Sequence, residues 1–217
     1  MWCLVSSGRT WCVGMGAALC TLLVVLAGEG GEATHLVGGS MGAGVAGAVL
    51  SARPDLVHGA VLEDPPWFTM PGGGQRPPEP ETLQQSVRPF RDDLESAIAS
   101  GRVELPLWPE IELQPWAVSK TQLDPSLTDR EQIIRHAPWI DDAAAIARPT
   151  LLVTGDREEA IIVAAESRKR LAELGNQHIE VAVVPGAGHT VRRDCADAYH
   201  QLVDPWIKQR FRAAASS

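Results

Sequence analysis

The chain has 217 residues, of which 45% are hydrophobic and 21% are charged, proportions that are typical of a folded globular protein. Its net charge of −8 argues against nucleic acid and anionic membrane surfaces as partners, because binding phosphates requires concentrated basic side chains. The four cysteines form no Cys-x-x-Cys pair and no metal-ligand spacing, so we expect free thiols in a reducing compartment, no metal site and no cofactor.

The first 34 residues are mostly apolar. Ala17 to Gly28 predicts a helix that packs on a hydrophobic sheet face. The longer run from Thr10 to Gly28 contains 19 uncharged residues, a length that also suits a membrane span or the core of a signal peptide. The run contains glycines and ends six residues before the next strand, so we favour the buried helix and a cytoplasmic location. An N-terminal signal or membrane segment at 10–28 is the alternative.

The pentapeptide Gly38-x-Ser40-x-Gly42 follows a short apolar run and precedes a helix-forming segment. This pattern is typical of a nucleophile elbow, a sharp strand-to-helix turn that exposes a serine Oγ. Glycines on both sides let the strand and the helix approach closely. A helix that begins after Ser40 would direct the N–H of Met41 at a developing oxyanion. We therefore predict Ser40 as the nucleophile and Met41 as an oxyanion donor.

Strands and helices alternate on both sides of a central interruption, which favours an α/β sheet. Glycine at 175 is a typical helix C-cap, and Arg53-Pro54 ends the first helix. The predicted elements are a helix over Met41 to Ala52, a strand over Leu56 to Glu63, a strand over Thr150 to Thr154, a helix over Val163 to Leu174, a strand over Ile179 to Val184 and a helix over Asp194 to Arg212.

The interruption, residues 65–146, consists of proline-broken helical fragments and contains four of the seven tryptophans. Tryptophan supplies a broad apolar surface with one N–H donor, which suits a ligand pocket. We predict a helical lid here, with Trp67 lining the substrate pocket and the other tryptophans fastening the lid. The predicted helices are Glu81 to Ser100, Trp116 to Leu123 and Asp129 to Ala137.

A glycine-rich loop, Pro185 to Gly188, follows the last predicted strand and presents His189. A serine nucleophile needs a neutral imidazole within hydrogen-bond reach to accept its proton. Of the six histidines, His189 alone follows a flexible glycine loop downstream of the serine. We predict it as the general base.

These motifs, and the segments around them from about Gly14 to Arg212, resemble the α/β-hydrolase superfamily. HLVGGSMGAG is similar to the elbow, ARPDLVHGAVLEDPPW to the next strand and the entry to the cap, RPTLLVTGDRE to the strand that often carries the acid, and VVPGAGHTV to the histidine loop. The order of nucleophile, acid and histidine is that of the family. The resemblance implies a partial α/β-hydrolase sheet flanked by helices, with the core at 1–64 and 147–217 and a helical cap at 65–146. The family's usual strands before the elbow, and the loop that supplies a second oxyanion N–H, have no match in the first 34 residues, so we expect the core to be N-terminally incomplete.

Three carboxylates compete for the role of the acid. In many family members the acid lies at the fourth position of a Gly-x-x-Asp turn after the cap, which is Glu158 here, with Asp156 nearby. In other members it ends the strand after the elbow helix, which matches Asp64. We favour Asp64, because Pro65-Pro66 would fix it at the sheet edge, and keep Glu158 as the alternative.

The sequence therefore predicts a serine hydrolase that cleaves an ester, lactone or related acyl bond of a small hydrophobic substrate. Ser40 attacks, His189 moves the proton and the acid orients His189. A serine at the elbow argues against the dehalogenases and epoxide hydrolases of the superfamily, which use aspartate there. The alternative is a truncated, catalytically inactive remnant or a binding protein. The sequence makes no prediction of oligomeric state.

Overall fold

The structure, a computed structural model, describes residues 2–6, 9–13, 34–68, 83–123 and 139–214. The predicted helices over Ala17 to Gly28 and Asp129 to Ala137 lie outside these ranges. The chain divides into two compact units. The first comprises Met1–Gln75 and His136–Ser217, and the second comprises Arg76–Arg135.

The first unit is built on a six-stranded sheet. Its strands are β1 (Trp2–Ser6), β2 (Arg9–Val13), β3 (Thr34–Gly39), β4 (Val57–Glu63), β5 (Thr150–Gly155) and β6 (Ile179–Val184). Their order in the sheet is β2-β1-β3-β4-β5-β6. Strands β3 to β6 are parallel, whereas β1 is antiparallel to both β2 and β3. Every residue of β5 is buried, as expected for a central strand of a parallel sheet with helices on both faces. The predicted α/β class is therefore confirmed.

The helices described in this unit are α1 (Met41–Ala52), a 3₁₀ turn (Pro54–Leu56), α5 (Trp139–Ala145), α6 (Ala165–Leu174), α7 (Val191–Asp194) and α8 (Ala196–Ala214). Two hydrophobic clusters lie on opposite faces of the sheet, because successive strand residues point to opposite sides. Leu62 and Leu152 belong to one cluster, and their neighbours Val61 and Val153 belong to the other. Helices α1, α5 and α6 contribute to the first cluster, while α7 and α8 contribute to the second.

The second unit contains α2 (Leu83–Asp92), α3 (Leu94–Glu104) and α4 (Glu110–Thr121). Trp116 forms its centre and meets Phe90 and Trp108 edge to face, with ring centroids 5.0 and 5.7 Å apart. This unit is narrower than the predicted cap at 65–146, because Trp67 and α5 belong to the core of the first unit.

The two N-terminal strands were not predicted from the sequence. They have the sequences WCLVS and RTWCV and are separated in the chain by Ser7-Gly8, a dipeptide typical of turns. Thr10 to Val13, the start of the apolar run at 10–28, lie in β2 and do not begin a helix. Among the described residues, no helix combines the length and the apolar composition needed to cross a bilayer.

Candidate active site

Three polar side chains meet at the edge of the sheet where the parallel strands end. Ser40 directly follows β3, Asp64 directly follows β4, and His189 lies five residues beyond the end of β6. His189 Nε2 is 2.9 Å from Ser40 Oγ, and His189 Nδ1 is 2.6 Å from Asp64 Oδ2. The structure therefore joins three of the predicted site residues in one hydrogen-bonded chain.

The backbone at Ser40 has the geometry of a strained turn. Its φ is 54° and its ψ is −126°, and Asp64 has a φ of 40°. In the part of the chain that the structure describes, these are the two residues other than glycine with a positive φ. The Ser40 N–H donates to the Glu63 carbonyl at 2.8 Å, which ties the turn to the neighbouring strand. Such conformations cost of order 1–3 kcal/mol each and persist where surrounding contacts enforce them.

Asp64 is fully buried, and its carboxylate faces four donors. The Thr154 hydroxyl and the Val163 N–H donate to Oδ1 at 2.8 and 2.9 Å, and the Ile162 N–H donates to Oδ2 at 2.8 Å, beside His189. An ionised carboxylate is a pure acceptor and can satisfy all four donors. These three supporting donors were not predicted from the sequence.

The two other carboxylates considered for the role of the acid, Glu158 and Asp156, have other partners. Glu158 accepts from the N–H of Ala165 at 3.0 Å and pairs with Arg168 at 2.5 Å, and this pairing lowers the pKa of the Glu158 carboxyl. Asp156 accepts from the Gly186 N–H at 2.7 Å. Neither pairing involves His189.

The loop that carries His189 is fixed by backbone contacts. A Cβ at Gly155 would lie 1.9 Å from the carbonyl oxygen of Ala187, so the end of β5 and the loop can approach this closely only with glycine there. The Gly188 N–H donates to the Asp194 carboxylate at 2.7 Å, and the Arg157 N–H donates to the Ala187 carbonyl at 3.2 Å. The imidazole is thus presented by a loop with few alternative conformations.

Met41 is the first residue of α1 and directly follows Ser40. An N–H in the first turn of a helix has no acceptor within the helix, and the helix dipole favours negative charge at that end. The position suits the predicted oxyanion role of Met41.

Trp67 lies in the hydrophobic core, with 3% of its surface exposed. Its ring stacks on Trp139 at a centroid distance of 5.4 Å and packs on Gly47, where a Cβ would lie 3.2 Å from the ring. Its carbonyl accepts from the Ser167 hydroxyl at 2.8 Å. These contacts favour a structural role over the substrate-binding role that the sequence suggested.

Trp67→Ala should lower the free energy of unfolding by about 3–5 kcal/mol, because it leaves a large cavity between α1 and α5. Urea denaturation measures this loss, and Trp67→Phe, which keeps an aromatic ring, should lose less. The relative kcat/KM values for esters of increasing acyl length should not change in the folded variant. A changed preference for acyl chain length, with little loss of stability, would instead support a substrate-binding role for Trp67.

Comparison with known proteins gives a consistent result. A sequence model of the alpha/beta hydrolase family matches residues 11–202. Among solved structures, E-2-(acetamidomethylene)succinate hydrolase superposes with a TM-score of 0.64 at 19% identity, covering 90% of this chain and 75% of that one. The thioesterase domain from the curacin biosynthetic pathway gives 0.62 at 19% identity, with 93% and 79% covered. An N-acyl homoserine lactone degrading enzyme, Est816, gives 0.57 at 21% identity, with 91% and 78% covered.

No protein of curated function matches the chain at significant sequence similarity. The family match covers most of the 217 residues, and the structural neighbours share the fold. The resemblance noted in the sequence is confirmed, and family membership supports hydrolysis as the class of reaction. The chain belongs to the alpha/beta hydrolase family.

Proposed function

We propose that this protein is a serine hydrolase that cleaves an ester, lactone or related acyl bond of a small hydrophobic substrate. The observation that carries the proposal is the hydrogen-bonded chain from Ser40 through His189 to Asp64, with its two distances of 2.9 and 2.6 Å. A nucleophile, a base and an orienting carboxylate in this order are the parts that acyl transfer requires.

The proposed mechanism follows from the hydrogen-bond roles of the imidazole. His189 donates from Nδ1 to Asp64, which leaves Nε2 as the acceptor for the Ser40 hydroxyl proton. Ser40 Oγ attacks the acyl carbon while His189 takes the proton, and the imidazolium then protonates the leaving group. Asp64 holds the ring and stabilises its charged form without taking a proton. Water repeats the sequence on the acyl-enzyme and releases the acid.

The Met41 N–H is proposed to stabilise the oxyanion of the tetrahedral intermediate. A donor of this kind contributes on the order of 3 kcal/mol to the transition state when it is positioned before reaction. The positive end of α1 lies at the same place and favours the same charge.

The acyl class of substrate is supported by the chemistry of the elbow. A serine nucleophile forms an acyl-enzyme, so the substrate must carry an acyl carbon with a leaving group. The structural neighbours include an E-2-(acetamidomethylene)succinate hydrolase, a thioesterase domain and an N-acyl homoserine lactone degrading enzyme, whose names all fit this class. Within the class, esters, thioesters and lactones are the compounds to test first.

A fluorophosphonate probe should label the folded protein at Ser40 and not at Ser6, Ser51 or Ser86, because an activated serine alone attacks the phosphorus. Mass spectrometry of tryptic peptides locates the label. Ser40→Ala should abolish both labelling and ester turnover, while Ser51→Ala, at the other end of α1, should change neither.

Labelling at another serine would overturn the assignment of Ser40. No labelling and no turnover of esters, thioesters or lactones by folded protein would favour the binding role considered in the sequence analysis. In that case the hydrogen-bonded chain would remain as a structural feature without chemistry.

A further inference from the structure

Glu63, the last residue of β4, contacts both halves of the candidate site. Its carbonyl accepts from the Ser40 N–H at 2.8 Å, and its Oε1 accepts from the Arg192 N–H at 2.8 Å. Its Oε2 lies beneath the elbow, 3.3 Å from where a Cβ at Gly39 would be. Glu63 therefore contacts the nucleophile turn through its main-chain carbonyl, and it contacts helix α7, which begins two residues after His189, through its carboxylate.

The electrostatic surroundings of this carboxylate include the imidazole. Burial raises the pKa of Glu63, while the hydrogen bond from the Arg192 N–H and the charges of Arg192, His189 and Arg193 act to lower it. On α8, burial together with the Glu63 charge raises the pKa of the Tyr199 phenol. Asp64 is the next residue in the chain.

We propose that Glu63 is a positioning residue for His189: its carboxylate holds the Arg192 N–H at the start of α7 and so keeps the histidine loop in place beside the elbow. The inference rests on the proposed function, because it assigns Glu63 a part in orienting the same imidazole. Asp64 bonds the ring directly, whereas Glu63 acts through the backbone of Arg192.

Two substitutions test this role. Glu63→Gln keeps the size and an oxygen acceptor for the Arg192 N–H but removes the charge. Glu63→Ala removes both. Glu180→Gln is a matched control, because Glu180 lies on the same sheet, in an exposed ion pair with Arg210.

The experiment records the His189 imidazole signals by NMR of histidine-labelled protein at one pH, with His189→Gln to assign them. Loss of the hydrogen bond to the Arg192 N–H frees the start of α7, so in Glu63→Ala these signals should shift, whereas Glu63→Gln and Glu180→Gln should leave them near their wild-type positions. In parallel, the kcat of Glu63→Ala for the best ester should fall about 10- to 100-fold with little change in KM, and Glu63→Gln should recover most of this loss.

Each outcome decides the proposal. Unchanged imidazole signals in Glu63→Ala, or equal kcat losses in the alanine and glutamine variants, would show that the hydrogen bond does not position the loop. Either result overturns the inference. Because the NMR measurement does not require turnover, a wild-type protein that hydrolyses nothing would reject the proposed function and still leave the effect of Glu63 on His189 measurable.

Discussion

Asp64→Asn is expected to lower kcat by about three to four orders of magnitude. Asparagine presents either an oxygen or an NH₂ group to Nδ1, and the NH₂ would favour the tautomer in which Nε2 carries the proton. His189 could then no longer accept the Ser40 proton. The amide nitrogen would also face the N–H groups of Ile162 or Val163, which now donate to the carboxylate. Steady-state kinetics measure the loss, and thermal unfolding shows how much of it comes from the fold.

Glu158→Gln is the matched control for the acid. Glu158 is exposed and paired with Arg168, so removing its charge should change kcat by less than about twofold. The opposite ranking of the two variants would move the orienting role to the loop after β5. Small and similar effects from both would point to Asp156.

Gly155→Ala is expected to reduce kcat by at least about 100-fold and to lower the free energy of unfolding by about 3 kcal/mol. The new methyl group would overlap the backbone oxygen of Ala187, at 1.9 Å, and a backbone atom cannot turn aside as a flexible side chain can. Either the end of β5 or the histidine loop must shift, and the shift displaces His189 from Ser40. Denaturation and single-turnover acylation of Ser40 measure the two effects separately.

The control for this variant is Gly186→Ala, in the same loop. A Cβ there has no atom within 4 Å, and only the φ of +81° opposes it, at a cost of about 1–2 kcal/mol. It should therefore keep most of its activity in the folded state. If Gly155→Ala acylates as fast as this control, the close approach of β5 and the loop is not needed for the site.

The regular elements next to strong end signals could be predicted to the residue. The predicted bounds of α1 and β6 match the structure, because Arg53-Pro54 ends the helix and Pro185-Gly186 ends the strand. The prediction was wrong where a local side-chain hydrogen bond divides a continuous helical sequence pattern. The expected helix over Glu81 to Ser100 is two helices, because the Asp93 carboxylate accepts from the Ser96 N–H and starts a new one.

In the candidate site, the contacts among the three polar residues could be expected from the sequence, and the contacts around them could not. Ser40 and His189 follow glycine patterns whose geometry is local, and the end of β4 brings Asp64 to the same sheet edge by topology alone. Two donors to Asp64 come from residues about 100 positions later in the chain, and no local pattern indicates such pairing. The burial of Trp67 could not be predicted for the same reason, since it depends on Trp139 and on the lack of a side chain at Gly47.

Ser40 and Asp64 have positive φ angles, which lower the stability of the fold, and the proposed reaction requires the side chains of the same two residues. Glycine at position 40 would relieve an unfavourable conformation of about 1 kcal/mol or more, yet it would remove the hydroxyl on which the proposed reaction depends. Selection for thermal resistance alone would therefore favour glycine at this turn, whereas selection for turnover retains serine. Stabilising variants of this protein should be sought away from the strand ends, and a stabilising change found at the elbow is a sign of lost activity.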